Sequence, residues 1–254
     1  MDKKKKILSI FLILAMVTTT VALSGCQEEI EENRIIVGTD AGFPPFEYED
    51  DEGNIVGFDI ELITTILENL NYTVEVRDIG WDPLIPSLEA GNIDVIAAGM
   101  TITSEREERI DFSIPYFEAN QSVLVLTEST LIIETTDNLT GLTIGVQIGT
   151  TGQFWVEDNF GDTVTLQYYD LYIEAVLDLR NERVDVVVLD VPVAQVFAED
   201  EDLKVALEIE TNEEYGFGVK EGNTELLEQI NQELLNFMGS EEWNALEDKY
   251  FKGQ

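Results

Sequence analysis

The stretch DVIAAGMTITSEREERIDFS, residues Asp94–Ser113, joins a short apolar run to an arginine through small and hydroxyl residues. Apolar VIAA is typical of a buried strand, and TITSERE is typical of a turn leading into a helix start. Arg106 stands out because the chain holds only 14 Lys and Arg against 52 Asp and Glu. Two interpretations are open: Arg106 is an exposed residue of a surface helix, or it clamps an anion at a sheet edge.

Composition excludes several kinds of site. The 254 residues are 44% hydrophobic, which is enough for a packed core. There is no histidine and only one cysteine, so a structural zinc site, a histidine-based triad and an internal disulfide are not expected. No cofactor, metal or catalytic residue is predicted.

The formal net charge of −38 argues against nucleic acid as a partner. The acidic residues are spread along the whole chain. They indicate either a field that attracts a cationic ligand or a surface adapted to high salt, and the even spread favours salt adaptation.

The first residues have the pattern of an export signal. MDKKKK is basic, ILSIFLILAMV is apolar, and Leu23–Cys26 resembles a lipobox. We therefore predict a lipoprotein signal peptide over residues 1–25, lipidation of Cys26, and an acidic tether over residues 26–33. The alternative is a membrane anchor that is never cleaved, although the apolar run is short for a spanning helix.

Two βαβαβ patterns follow. The first comprises RIIVGTD, FDIELITTILENL, YTVEVRDI, DPLIPSLEAGN and IDVIAAG; the second begins at LTIGVQIG and ends at VDVVVLD. Such alternation predicts parallel sheets covered by helices. We predict an α/β fold with one lobe at residues 34–121 plus 213–254 and another at 122–212. The extended stretches QSVLVLT and EEYGFGVK would be hinge crossings. A single continuous sheet is the alternative.

Polar and small residues follow the strands of both patterns. Ligands bind at the carboxyl ends of parallel strands. If the lobes face each other, these segments would line one cleft between them: Asp40, Ala98 to Thr101, Gln147 to Thr151, and Asp190.

Several long motifs occur in order and cover residues 33–251: GTDAGFPPFEYEDDEGNIVGFDIELI, GWDPLIPSLEAGNIDVIAAGMTITSERE, IGVQIGTTGQ, VDVVVLDVPVA and YGFGVKEGNTELLEQIN. In these motifs the chain resembles the extracellular solute-binding proteins of family 3, the polar amino acid receptors of ABC importers. The resemblance implies a periplasmic-binding-protein-like fold of type II. Leu67 departs from the smaller residue of the family signature, which concerns helix packing.

The resemblance also implies roles at one end of the ligand. Arg106 would hold the α-carboxylate, since a guanidinium presents two parallel donors to it. Gly99 would offer its carbonyl to the α-ammonium, and the small Ala98 would let the backbone come close. Thr101 would contact both groups with its hydroxyl and amide. Asp190 would pair with the α-ammonium and Thr151 would add its amide to the carboxylate. From the residues alone, Asp190 could equally be a helix N-cap and Thr150 only a cap.

The side-chain pocket implied by the resemblance consists of Asp40, Phe43, Trp81 and Gln147. Asp40 favours a group bearing N–H, and the two aromatic faces suit a guanidinium, amide or aliphatic chain. Gln147 can donate and accept, so it does not fix the ligand's charge. The expected ligand is arginine, lysine or glutamine, in that order.

The resemblance implies a monomeric receptor, held by lipid at the outer face of the cytoplasmic membrane. It would close on its ligand and deliver it to an ABC permease. Two alternatives from other classes are a sensor ectodomain and a dehydratase-type enzyme on the same fold.

Overall fold

The computed structural model describes residues 33–252. The predicted signal peptide, Cys26 and nearly all of the tether lie outside the described residues. Within residues 33–252 no helix combines the length and the apolar character needed to span a membrane.

Strands and helices alternate through the described chain. The strands are β1 (Arg34–Thr39), β2 (Gly42–Phe43), β3 (Glu47–Glu49), β4 (Ile55–Val56), β5 (Thr73–Asp78), β6 (Val95–Ile96), β7 (Ile110–Phe112), β8 (Phe117–Leu126), β9 (Thr143–Gln147), β10 (Thr165–Tyr169), β11 (Val186–Asp190), β12 (Leu203–Tyr215) and β13 (Gly218–Lys220). The helices are α1 (Phe58–Asn69), α2 (Leu84–Ala90), α3 (Ser104–Glu107), α4 (Thr151–Phe160), α5 (Tyr172–Arg180), α6 (Val191–Phe197), α7 (Thr224–Phe237) and α8 (Glu241–Phe251).

Two five-stranded sheets form the framework. The first has the order β5-β1-β6-β13-β7, and the second has the order β10-β9-β11-β8-β12. In each sheet three strands are parallel, as the two βαβαβ patterns predict. The other two strands of each sheet are antiparallel, which the patterns did not predict. Of these additions, β7 and β8 lie between the two patterns and β12 and β13 follow the second, and together they make both sheets mixed.

A small three-stranded sheet, β2-β3-β4, lies in the segment between β1 and α1. No strands were predicted in this segment. The sheet is antiparallel and carries Phe43 in β2 and Glu47 in β3, which pair directly with each other. It therefore holds two side chains of the site described below.

Strands β8 and β12 run side by side between the two sheets. Tyr215 pairs with Phe117 near the first sheet, and Leu203 pairs with Leu126 in the second. The register shifts between Ile209 and Glu213. Thr101 forms an isolated antiparallel bridge with Tyr215, so the ligand-side loop of the first sheet is tied to this connection. The predicted lobe limits at 121/122 and 212/213 fall inside these two strands.

Local sequence accounts for several helix ends. Gly91 ends α2 in the left-handed region with φ 75°, which favours glycine. Thr150 caps α4, since its hydroxyl accepts from the amide of Gln153. Leu67 is fully buried on α1, so the larger residue at this position is accommodated in the core.

Candidate functional site

A narrow cleft with a cavity volume of about 20 Å³ lies where the carboxyl ends of β1, β6, β9 and β11 converge. This volume is far below the range for ligand pockets, so the cleft is closed in this structure and would have to open to admit an amino acid. All ten predicted site residues line it, together with three others: Asp40, Phe43, Glu47, Trp81, Ala98, Gly99, Thr101, Arg106, Gln147, Thr150, Thr151, Tyr172 and Asp190. The structure thus brings the predicted residues together. Their contact with a ligand stays a prediction.

Two hydrogen bonds cross this cleft from one sheet to the other. Nε2 of Gln147 donates to Oδ2 of Asp40 at 2.8 Å. Nη2 of Arg106 donates to the carbonyl of Gly149 at 3.2 Å. Residues after β1 and β6 therefore meet residues at the end of β9 directly, and the two halves are closed on each other.

Arg106 is an interior residue, with a relative exposure of 8%. Its Nη1 donates to the carbonyl of Thr101 at 2.7 Å, and its guanidinium carbon lies 5.1 Å from the centroid of the Trp81 ring. Arg109, three residues later, instead forms an exposed ion pair with Glu89. Because a guanidinium has five N–H donors, Arg106 keeps donors for a further partner. The surface-helix interpretation is wrong for Arg106, which α3 holds in the cleft.

A buried carboxylate fixes the backbone at Gly99. Oδ2 of Asp59 accepts from the Gly99 amide at 2.8 Å and from the Tyr116 hydroxyl at 2.5 Å. Burial raises the pKa of Asp59 to about 7, although both hydrogen bonds oppose the rise. Gly99 has φ +52°, and a Cβ there would lie 2.7 Å from the Phe43 ring. Only glycine fits this close approach without displacing the aromatic ring.

Asp190 lies at the second side of the cleft, at the end of β11. One of its oxygens accepts from the Tyr215 hydroxyl at 2.9 Å, and the other accepts a short hydrogen bond from Nε2 of Gln121. Burial, followed by the charge of Glu213, raises the pKa of Asp190 to about 8. Asp190 occupies the N-cap position of α6, but its side chain makes no capping bond. The carboxylate is thus oriented by partners in the cleft.

At the end of the cleft near Asp40, Gln147 offers a ligand only a hydrogen-bond acceptor. Both N–H groups of the Gln147 amide are used, by Asp40 and by the carbonyl of Asp170, each at 2.8 Å. Its carbonyl oxygen remains as an acceptor. Burial raises the pKa of Asp40 to about 6, with Gln147 opposing the rise and Asp78 and Asp82 adding to it.

Glu47 is the residue at this end that the sequence analysis missed. Its side chain is fully buried, and neither carboxyl oxygen has a hydrogen-bond partner among the described residues. Burial raises the pKa of Glu47 well above its usual range, and the charges of Asp59, Asp40 and Asp190 add to the rise. A buried carboxylate without a partner is costly, and such groups concentrate at functional sites.

Aromatic rings form the walls. The rings of Phe43 and Tyr172 are stacked, with centroids 5.6 Å apart, and Trp81 lies against Arg106. Tyr172 was not predicted, because it begins α5 in a stretch that reads as ordinary helix.

Further polar residues support the cleft from the strands that join the sheets: Gln121, Glu213 and Tyr215. Glu213 and Tyr215 are two residues apart on β12, so they share a face of the strand. In a strand with alternating faces, Glu213 would lie on the same face as Tyr215, and this spacing was the signal available in the sequence for Glu213. No comparable signal marked Gln121, which lies among other polar residues in the first half of β8.

No group of three or more acidic, cysteine or histidine side chains suited to a metal ion occurs within residues 33–252.

The fold and this cleft can be compared with known proteins. The model of the bacterial extracellular solute-binding proteins, family 3, matches residues 35–253. The chain belongs to this family. The predicted family and the two-lobed α/β fold are therefore confirmed.

Individual family members span nearly the whole chain. L-cystine-binding protein TcyJ of Escherichia coli (strain K12) is 28% identical over 96% of this chain and 93% of its own. Putative ABC transporter arginine-binding protein 2 of the same strain is 33% identical over 84% of this chain and 89% of its own. A P235GK mutant of ArgBP from T. maritima is 40% identical with a TM-score of 0.83, covering 87% of this chain and 96% of that one. The ancestral amino acid-binding protein AncCDT-1, described as a precursor of cyclohexadienyl dehydratase, is 32% identical with a TM-score of 0.83 and covers 87% and 97%.

Proposed function

We propose that this chain is the solute-binding receptor of an ABC importer for an amino acid with a cationic side chain, arginine first. It is anchored through Cys26 outside the cytoplasmic membrane, acts as a monomer and passes its ligand to a membrane permease. The lobes are residues 34–121 with 213–254, and residues 122–212. The family and the names of its members support this proposal at the level of amino acid transport.

The choice of side chain rests on one observation. The hydrogen-bonding groups that remain for a ligand near Asp40 are acceptors. Asp40 and Glu47 contribute carboxylate oxygens, and Gln147 contributes only its carbonyl oxygen because its amide hydrogens are already used. Acceptors require donors, and a guanidinium offers five N–H groups and no acceptor. Its flat face also suits the rings of Phe43 and Trp81.

The same reasoning disfavours two other amino acids. Glutamine brings a side-chain carbonyl, for which neither Asp40 nor Gln147 has a free donor. Cystine brings a second α-carboxylate, which would face the charges of Asp40 and Glu47. Lysine has donors and a charge but no planar group, so we rank it second.

The other end of the cleft suits an α-amino acid. Arg106 keeps donors for a carboxylate, and the first amides of α4 at Thr151 have no partner within the helix. Asp190, across the cleft, supplies a carboxylate for the α-ammonium. Because Arg106 lies on one lobe and Thr151 and Asp190 lie on the other, a zwitterion stabilises the closed arrangement more than the open one. This difference in contacts drives closure.

Isothermal titration calorimetry with the purified protein tests the proposal. L-Arginine, L-lysine, L-glutamine and L-cystine are titrated separately, at low and at high salt. We expect arginine to bind most tightly of the four. Tighter binding of glutamine or cystine would contradict the assignment of the acceptor end. If none of the four binds, the proposed ligand class is wrong.

The asparagine variant of Asp40 is a second test of the same end. It turns one acceptor group into a mixed donor and acceptor. It should therefore lower arginine affinity and narrow the difference between arginine and glutamine.

A further inference from the structure

Glu213 lies on β12, where the chain crosses between the two halves of the cleft. Its Oε2 accepts from the Thr101 hydroxyl at 2.8 Å and from the Thr151 hydroxyl at 2.6 Å. Thr101 follows β6 of the first sheet, whereas Thr151 begins α4 against the second. One carboxylate oxygen therefore binds a hydroxyl from each half.

These two bonds decide what the threonines can offer inside the cleft. A hydroxyl has one hydrogen and two lone pairs, whereas a carboxylate only accepts. Thr101 and Thr151 each spend their single hydrogen on Glu213, so each hydroxyl keeps only acceptor capacity. Both threonines line the cleft, whereas Glu213 is not one of the described residues that line it. Glu213 therefore affects the cleft only through the hydroxyls of Thr101 and Thr151.

An acceptor hydroxyl suits one end of an amino acid and not the other. A ligand carboxylate needs donors, whereas a protonated α-amino group donates three hydrogens. The two contacts expected of Thr101 are therefore assigned to different ends of the ligand: its hydroxyl oxygen can serve the ammonium, and only its backbone amide can serve the carboxylate.

The charges nearby point the same way. Nε2 of Gln121 donates to Oε1 of Glu213 at 3.1 Å and also to Asp190, so the amide holds two carboxylates next to each other. Arg106 is the cation that faces this pair, and Tyr215 donates to Asp190 from the same strand as Glu213. Two carboxylates against one guanidinium leave a negative local field, which favours an ammonium group.

We propose that Glu213 is a positioning residue that fixes the hydroxyls of Thr101 and Thr151 as acceptors and so makes the cleft select ligands with a protonated α-amino group. The proposal rests on the proposed function, since it concerns the α-ammonium of the same amino acid. The competing role for Glu213 is a latch that joins the two halves whatever the ligand is.

A pair of ligands separates these two roles. L-Arginine and its 2-hydroxy counterpart, 2-hydroxy-5-guanidinopentanoic acid, differ only in the α-substituent. Dissociation constants are measured by calorimetry for the unmodified protein and for Glu213→Gln. In this variant the side-chain carbonyl keeps the bond from Gln121, so the amide nitrogen takes the place of Oε2 and donates to the threonine oxygens. The threonine hydroxyls then turn their hydrogens toward the cleft.

We expect Glu213→Gln to weaken arginine binding about 10- to 100-fold, because a charge-assisted acceptor arrangement is lost. The 2-hydroxy acid should lose less than about 3-fold, since a hydroxyl can accept as well as donate. The preference for the amino acid should therefore fall by at least several-fold. Glu214→Gln, at the exposed next position of β12, is the matched control and should change neither constant.

Equal losses for both ligands would overturn the proposal in favour of the latch, and unchanged arginine binding would overturn it outright. If Glu213→Gln does not fold, Thr101→Val decides, because it removes one of the two hydroxyls directly and should reproduce the selective loss. Failure of the unmodified protein to bind any amino acid would instead refute the proposed function, before any variant is measured.

Discussion

Replacing Glu47 with glutamine should stabilise the protein and weaken ligand binding at the same time. Glu47 is fully buried without a hydrogen-bond partner among the described residues, and Asp40, Asp59 and Asp190 add to its raised pKa. Glutamine keeps the shape and removes the charge. The neutral amide costs less to bury, and the repulsion from the neighbouring carboxylates disappears.

The stability gain is the difference between burying a carboxyl group beside three other acidic residues and burying a neutral amide in its place, on the order of 1–3 kcal/mol. For a domain of this length each kcal/mol moves Tm by about 2–4 °C. The gain also has a defined pH dependence. A carboxyl group whose pKa is raised by folding binds protons more tightly in the folded state, so its ionisation lowers stability as pH rises above the unfolded pKa. Glu47→Gln should therefore raise Tm more at pH 8 than at pH 5.

The loss of affinity has the opposite sign because the same carboxylate is proposed to receive the ligand's guanidinium. A hydrogen bond to a charged group contributes about 1.5–3 kcal/mol. This corresponds to a Kd for arginine that is about 10- to 150-fold higher in the variant.

Differential scanning calorimetry at pH 5 and pH 8 measures the first effect, and titration calorimetry with arginine measures the second. Glu49→Gln is the control, because Glu49 is exposed two residues further along the same strand and its loss should change neither quantity. A variant that binds arginine as tightly as the unmodified protein would refute the role of Glu47 in the site. A lower Tm at pH 8 would refute the statement that its charge is unpaired.

The other predictions concern the binding of the ligand carboxylate by Arg106, the close approach of Gly99 to Phe43, and the pH dependence of arginine affinity. Arg106→Lys keeps the charge but not the planar fork, so losing one charge-assisted bond should raise the Kd for arginine about 10- to 100-fold with little change in Tm; unchanged affinity would exclude bidentate binding. Gly99→Ala places a Cβ against Phe43 at a positive φ and should lower both Tm and affinity, with a stability loss of about 1–3 kcal/mol; wild-type behaviour in both measurements would mean that the ring moves freely. Affinity for arginine should rise as pH increases from about 6 to about 8, by at most tenfold per unit for each proton released, because Asp40 and Asp190 must be ionised to hold cations. Titrations in buffers of different ionisation enthalpy count these protons, and a Kd that is constant over this range would contradict the assignment.

Much of the architecture could be predicted because local sequence controls it. The helical spacing of Ile63, Ile66 and Leu67 and the glycine stop at Gly91 both predict elements that the structure contains. The order of strands within each sheet could not be predicted from local sequence. β13 and β7 join the first sheet antiparallel, and their pairing depends on where a distant segment returns. No periodicity in a short apolar stretch encodes that choice.

The site residues also divide into those that a sequence rule locates and those that depend on the tertiary structure. Asp40, Gln147 and Asp190 follow apolar strands, so the rule for carboxyl ends of parallel strands locates them. Glu47 follows an aromatic in a short antiparallel strand that the sequence analysis did not assign. Its burial depends on α1, which packs against that strand from a later part of the chain.

By itself the sequence determined that Arg106 had to be accounted for in an acidic chain, that two α/β halves were present, and which residues would end their strands. Only the tertiary structure decided the direction of the hydrogen bonds in the cleft. It placed the hydrogens of Gln147, Thr101 and Thr151 on protein acceptors, which left acceptors facing inward. A residue's type sets how many hydrogen bonds it can make. Which of them remain for a ligand depends on neighbours from distant parts of the chain.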